Sequence, residues 1–252
     1  MQIMDQFGAA PGAESVRMPD GTERTLAAEH AAAILVNEQP AFRVVCTPEL
    51  LPQLALGRLL TEGWITSADE VERVAVCAQG LKIIVQLRHP LAAAEQAGQE
   101  VPSCCTDNLT LASPVQLPPL APVPQREIPA AWVDALADAM GQGLPLYRAT
   151  HAVHSCLLLR AGKILYRCED LGRHNALDKA VGCALTEGVP LAECVLFTSG
   201  RVPVDMVRKA IRAGVPALVS KTMPTVQSVE LAEEYGLRLF IQKKNEFHAR
   251  IP

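Results

Sequence analysis

The residues best equipped for chemistry in this sequence lie in three short polar turns and one loop that carries adjacent cysteines. The turn Glu169-Asp170-Leu171-Gly172-Arg173-His174-Asn175 crowds acids, an arginine, a histidine and an amide together. If it opens a helix, the unpaired helix amides attract an anion, and Arg173 with His174 add charge-assisted hydrogen bonds to a phosphate or a purine edge. The plainer alternative makes Asp170 a helix cap and Arg173 a surface partner of Glu169. Thr198-Ser199-Gly200-Arg201 offers two hydroxyls, a glycine that permits close backbone approach, and a cation. That set suits a phosphate without being a Walker A loop. Ser220-Lys221-Thr222-Met223-Pro224-Thr225 again places a cation and hydroxyls ahead of a helix, with Pro224 suited to its first position. In Ser103-Cys104-Cys105-Thr106-Asp107-Asn108 the neighbouring thiols could form a strained vicinal disulfide, divide labour, or be two ordinary loop cysteines. His151, His154 and Cys156 in HAVHSC do not make a metal set, because strand alternation separates neighbours and no fourth ligand is evident.

The elements around these turns must bring them together. The runs AAAILVN from Ala31 and AFRVVC from Ala41 read as strands joined through Asn37-Glu38-Gln39-Pro40. From Pro48 a helix follows, with Leu51, Leu54 and Leu59 on one side and Gly63 as its stop, and then VERVAVCA and LKIIVQL pair as strands. Residues 1–25 form a soft, flexible polar start, 26–100 a smaller α+β region, and 101–129 a proline-rich linker that blocks helix and central strand alike. Residues 130–252 begin with a helix carrying Val133, Leu136 and Met140. They then alternate SCLLLR and KILYRC strands, the RHNALDKAVGCAL helix, the CVLFTS strand, the PVDMVRKAIRAG helix ending at Gly214, PALVS, PTVQSVELAEEYG and LRLFIQ. Such alternation predicts an α/β fold with a parallel or mixed sheet, whose ligands sit off the carboxyl ends of the strands. The three polar turns fall at those ends.

Composition narrows the function classes. A chain of 252 residues with 49% hydrophobic and 20% charged residues can bury a substantial core. The formal charge of -4 provides no general basic field, so nucleic acid is not an expected partner and a small anionic ligand fits better. The N-terminal residues hold no apolar run suited to a signal peptide or a membrane span, which reads as a cytoplasmic protein without a membrane partner. Eight scattered cysteines read as mostly reduced thiols, with Cys46, Cys77, Cys168 and Cys194 serving as small hydrophobes.

The segments EDLGRHNALDKAVG, FTSGRVPVDMVRKAIRAGVPALVSKTMPT and VELAEEYGL, with THAVHS and ALGRLLTEGWITSADEV, closely resemble the FdhD family, the formate dehydrogenase accessory sulfurtransferases. The resemblance implies a C-terminal domain similar to the cytidine deaminase fold, with a mixed sheet and flanking helices. It also implies binding of bis(molybdopterin guanine dinucleotide) as cargo, a site that a GDP-like guanine nucleotide can occupy, and a cysteine that carries persulfide sulfur. The implied partners are a cysteine desulfurase, the formate dehydrogenase apoenzyme and a second copy of the chain in a homodimer. Carried onto this sequence, the cofactor site comprises Arg173, His174, Asn175, Thr198, Ser199, Gly200, Arg201, Ser220, Lys221 and Thr222. It also takes in the segment after the last matched strand, Phe240, Ile241, Gln242, Lys243, Lys244 and Asn245. His154 borders the pocket or serves as a satisfied structural histidine.

The family's Cys-x-x-Cys is altered here. Cys104 aligns with its first cysteine, the second position falls on Asp107, and starting from Cys105 puts Asn108 there instead. A nearby aspartate raises a thiol pKa, whereas a persulfide carrier benefits from an accessible thiolate. Cys104 is the expected carrier, with Cys105 as the alternative. Three readings follow: a sulfurtransferase, a noncatalytic cofactor-binding chaperone or regulator that has lost the relay, and an enzyme acting on another nucleotide. Zinc-dependent deamination needs His-x-Glu and Pro-Cys-x-x-Cys. His174-Asn175-Ala176 and Ser199-Gly200-Arg201-Val202 supply neither the zinc ligands nor the general acid, so no metal site and no zinc are expected.

Overall fold

Apolar side chains alternate along most strands and recur at helical spacing between them, so each element has a face to bury. The computed structural model describes residues 1–8, 10–90, 109–110, 117–243 and 246–250. Its first half contains β1 (Gln2–Asp5), β2 (Ala13–Arg17), β3 (Glu23–Ala27), β4 (His30–Val36), β5 (Gln39–Cys46), α1 (Leu51–Thr61), β6 (Val71–Val76), β7 (Lys82–Leu87) and β8 (Leu109–Thr110). The second half runs α2 (Ala130–Gly141), α3 (Pro145–Thr150), β9 (His154–Arg160), β10 (Lys163–Asp170), α4 (Arg173–Thr186), β11 (Cys194–Thr198), α5 (Val204–Ala213), β12 (Ala217–Ser220), α6 (Val226–Glu234), β13 (Arg238–Lys243) and β14 (Glu246–Arg250).

The strands form two mixed six-stranded sheets, ordered β1-β6-β7-β4-β5-β8 and β10-β9-β11-β12-β13-β14, beside the two-stranded β2-β3. This is the expected α/β class, with a mixed C-terminal sheet, flanking helices and an α+β N-terminal region. The β4-β5 hairpin turns at Asn37 and Glu38, whose φ values of 48° and 67° match the twist of the flanking strands, and Pro40 falls inside β5. Gly63, at φ 80°, stops α1 while the Trp64 amide reaches back to the Leu59 carbonyl; Gly214, at φ 70°, ends α5.

The opening residues carry more regular structure than their polarity predicts. β1 pairs in parallel with β6, and β2 with β3 antiparallel, so the backbone groups gain ladder partners even though most of the side chains stay exposed. Two residues of the proline-rich segment, β8, pair with β5. Residues 117–129 have no regular structure, yet Val123 and Ile128 are buried and the Val123 amide donates to the Tyr235 carbonyl at 2.9 Å. The short helix α3 escaped the pattern because only six residues form it and none is buried.

One hydrophobic core joins both sheets through the helices between them. Ile34, Val44 and Val74 from the first sheet, Leu54 and Leu59 from α1, Leu177 and Val181 from α4, and Leu158 and Leu196 from the second sheet belong to it. On the far side of the second sheet, Leu157, Phe197, Val219 and Phe240 pack with Val133, Leu136 and Met140 of α2. The central contact is between α1 and α4, where glycines let the backbones nearly touch. A β-carbon on Gly57 would overlap the Asp178 carbonyl oxygen, and one on Gly182 would overlap that of Gln53.

Within this contact lie buried charges. Asp178 receives Lys209 Nζ at 2.9 and 3.0 Å and the Thr61 hydroxyl at 2.6 Å, with Arg58 Nη1 at 3.5 Å. Glu62 meets Lys209 at 2.9 Å and Arg58 at 3.4 Å. This cluster ties α1, α4 and α5 together and satisfies groups that would be costly to bury alone.

Candidate functional site

Strand direction explains why the polar turns meet. β9 runs antiparallel to both β10 and β11, while β11, β12 and β13 are mutually parallel. The carboxyl ends of β10, β11, β12 and β13 therefore share one edge, joined there by the start of β9. Thr198 registers with Cys156 on one side and Ser220 on the other, and Ser220 with Ile241. Three of the expected site residues thus form one row across the sheet.

Backbone and hydroxyl hydrogen bonds fix this edge. The Ser199 amide donates to the Ser155 carbonyl and the Ser155 amide to Ser199 Oγ, both at 2.9 Å. Thr198 Oγ1 accepts from the Gly200 amide at 3.2 Å, and the Lys221 amide donates to the Thr198 carbonyl at 3.1 Å. Ser220 Oγ and Thr222 Oγ1 both donate to the Gly200 carbonyl, at 3.3 and 3.0 Å. These hydroxyls shape the turns first. Gly200 serves a close approach, although to Arg173: a β-carbon there would lie 2.7 Å from Arg173 Cβ and 2.8 Å from its Cδ.

Arg173 and Arg201 act electrostatically on His154. Burial pushes its imidazole below the usual histidine range, and the positive charges of Arg173, His174 and Arg201 push the same way, with Asp170 opposing them. Arg173 is buried and Arg201 is exposed, so positive charge runs from the interior to the surface, with buried His174 beside it. Such a cluster, at strand ends beside a helix start, can hold phosphate oxygens. Lys221 is exposed on the neighbouring turn. The first turn of α5 is less open to an anion than its sequence implies, because Asp205 occupies it and accepts from the Met206 amide at 2.8 Å.

Several residues of the first turn face inward. Asp170 is fully buried and forms an ion pair with buried Lys179 at 2.7 Å. It also accepts from the Gly172 and Thr47 amides at 3.0 and 3.1 Å and from Asn175 Nδ2 at 2.9 Å. Asn175 Nδ2 donates to the Val45 carbonyl as well, at 2.8 Å, which commits its amide to joining α4 with β5. Glu169 is taken by the start of α3, accepting from the Leu146 and Tyr147 amides at 2.8 and 2.7 Å, so it is not the surface partner of Arg173 that residue types alone allowed.

The remaining expected residues are scattered. Phe240 packs on the α2 side of the sheet with the Arg238 guanidinium over its ring at 5.0 Å, whereas Ile241 belongs to the row with Ser220. Gln242 and Lys243 continue β13; Lys244, Asn245, Cys104 and Cys105 lie outside the described residues. His151 is exposed at the end of α3, apart from the strand that carries His154 and Cys156, and among the described residues no His, Cys, Asp and Glu group is disposed to hold a metal. A shallow pocket of about 220 Å³ lined by Arg126, Trp132, Arg160 and Glu193 lies at the opposite end of the sheet, away from the convergent turns. We place the site at the turns because charge and fold topology coincide there.

Sequence reasoning missed Asp205, whose Oδ2 lies 3.0 Å from His174 Nε2, and the inward pairing of Lys179 and Lys209. The signal was present in ALDKAVG, where a charged pair interrupts an apolar helix face.

A family model described as the FdhD/NarQ family matches residues 27–248. The chain belongs to the FdhD/NarQ family. The match covers all four strand ends of the site and every strand of the first sheet except β1. Among relatives, the sulfur carrier protein FdhD of Nocardia farcinica is 34% identical over 228 residues, spanning 85% of this chain and 81% of its own. The sulfur carrier protein FdhD of Bacillus subtilis is 30% identical over 219 residues, spanning 85% and 83%. A crystal structure described as that of a formate dehydrogenase accessory protein from Desulfotalea psychrophila superposes with a TM-score of 0.72 at 26% identity, covering 94% of each chain. In this FdhD/NarQ chain, no described helix is long and apolar enough to cross a membrane.

Proposed function

We propose that the protein is a cytoplasmic sulfur carrier that serves formate dehydrogenase, accepting persulfide sulfur from a cysteine desulfurase and passing it to bis(molybdopterin guanine dinucleotide) before the cofactor enters the apoenzyme. The observation that carries this reading is the meeting of the turns that carry Arg173, Ser199, Arg201 and Lys221 at the strand ends of an FdhD/NarQ chain. The cluster fits the phosphates of a guanine dinucleotide, and Lys221 extends the positive surface. Carriage is assigned to Cys104, with Cys105 as the alternative. The carrier thiolate attacks the outer sulfur of the desulfurase persulfide, forming a new persulfide and releasing the desulfurase cysteine as a thiolate.

The buried cysteines Cys46, Cys156 and Cys194 are poorer carriers. Burial pushes the Cys46 thiol up to about 12 and the Cys194 thiol up to about 11, and raises Cys156 further. Such groups remain protonated and shielded from a donor. Incubation with a cysteine desulfurase and cysteine should add one sulfur by intact mass, and peptide mapping should place it on Cys104 or Cys105. No added sulfur, or sulfur confined to Cys183, overturns the assignment. GDP should raise the thermal midpoint; if guanine nucleotides give no response while another nucleotide does, the cofactor reading fails.

The Asp107 position favours one rival, a noncatalytic cofactor chaperone lacking the family's second spaced cysteine. Under that reading a folded Cys104→Ala, Cys105→Ala protein still supports formate dehydrogenase in cells lacking their own accessory protein. The sulfur-carrier reading requires that support to disappear.

A further inference from the structure

Asp205 has no place among the residues read from the sequence, yet it makes a specific contact within the cationic edge. It occupies the first turn of α5, where the helix dipole favours a carboxylate. Its Oδ1 accepts from the Met206 amide at 2.8 Å, which orients the carboxylate and leaves Oδ2 3.0 Å from His174 Nε2. The His174 side chain is only 5% exposed and that of Asp205 27%, so the pair is partly shielded from water. The approach is a close polar contact off the direction of an aligned hydrogen bond. His154 on the site side and Glu62 on α1 are the titratable neighbours of this ring.

We propose that Asp205 is a positioning residue: it acts through His174 to hold the α4 and α5 turns in the geometry that binds the phosphates of the nucleotide. This rests on the nucleotide-site reading above. The Gly200 and Arg173 approach locks the same two turns at a second point, so the His174 and Asp205 contact completes a two-point attachment. The reason to single out Asp205 is its sign. A carboxylate beside an anion site repels the ligand, so if it served no positioning role its removal would tighten binding.

The test measures GDP affinity of the full chain for Asp205→Ala, Asp205→Asn, His174→Ala and the Asp205→Ala, His174→Ala double variant, with imidazole nitrogen resonances recorded in parallel. Asp205→Ala should weaken GDP binding about tenfold, and Asp205→Asn, which keeps an acceptor, should lose less. In the His174→Ala background the Asp205→Ala loss should shrink to roughly twofold or less, because the route through His174 is gone. The His174 resonances should shift in Asp205→Ala without nucleotide. Tighter GDP binding by Asp205→Ala, an undiminished loss in the double variant, or unshifted His174 resonances each overturn the proposal. If the unsubstituted protein binds no GDP, the nucleotide-site reading fails and the binding role of Asp205 fails with it, while shifted resonances would still identify Asp205 as the residue that orients His174.

Discussion

Gly57 of α1 lies against Asp178 of α4 so closely that no β-carbon fits between the Gly57 backbone and the Asp178 carbonyl oxygen. The same contact contains Gly182 against Gln53, so the two helix backbones make their closest approach through paired glycines. Because α1 belongs to the N-terminal half and α4 opens at the cationic edge, this contact sets where the first turn of the site stands.

Alanine at Gly57 or Gly182 should therefore destabilise the protein by about 3 kcal/mol or more, since backbone must move to admit it. Urea unfolding checks this against Gly141→Ala in α2. A β-carbon at Gly141 meets nothing within 4 Å, so that variant should be neutral or gain up to about 1 kcal/mol. Equal behaviour of the three variants would contradict the close helix contact.

The Asp170 and Lys179 pair joins the strand-end turn to the interior at 2.7 Å with both side chains fully buried. Lys179→Met should cost about 3 to 5 kcal/mol by leaving a buried carboxylate without its cation. Replacing Asp170 with Leu as well should not restore stability, because Asp170 also receives the Thr47 and Gly172 amides. Denaturation midpoints of the single and double variants decide this.

Acid should weaken the α1, α4 and α5 cluster. Burial works against the charge on Glu62, but Lys209 and Arg58 outweigh it and hold the carboxyl down at about 2, against an ordinary value of 4.5. A depressed carboxylate contributes stability that is fully present above its unfolded pKa and is lost as pH falls through the folded one. Stability should thus decline between about pH 5 and pH 2, and Glu62→Gln should flatten part of that decline. The Glu62 side chain is one-third exposed, at 33%, so solvent moderates the effect. An unchanged pH profile in Glu62→Gln would show that the carboxylate is not so held.

His154 reports on the cations around it. Arg201→Ala removes one positive charge without disturbing the core, because Arg201 is exposed, and should raise the His154 titration. A bound nucleotide phosphate should raise it too, so GDP binding should take up protons and strengthen as pH falls through the His154 titration. Proton NMR of the His154 ring measures both shifts; a titration unmoved by either change would separate His154 from the anion site.

Much of the C-terminal half was legible because its apolar alternation and its Gly214 stop are local signals. The positions of Val133, Leu136 and Met140 likewise specify one buried face of α2, and the structure buries all three. The polar turns were legible as residues concentrated at strand ends. Their inward and outward halves were not, because local pattern cannot say that Asn175 reaches β5, that Asp170 reaches Thr47 just beyond it, or that Glu169 caps α3.

By itself, the sequence determined the α/β alternation, the family and the set of cations available to the site. Only the tertiary structure decided which of them face it. Antiparallel β9 aligns four strand ends on one edge, the glycine contact of α1 with α4 fixes the first turn, and pairing sends Lys179 and Lys209 into the interior while Arg173 and Arg201 act on His154. Some of those choices depend on partners more than a hundred residues apart, as between Thr47 and Asp170, and the cost of burying an unpaired charge selects among them.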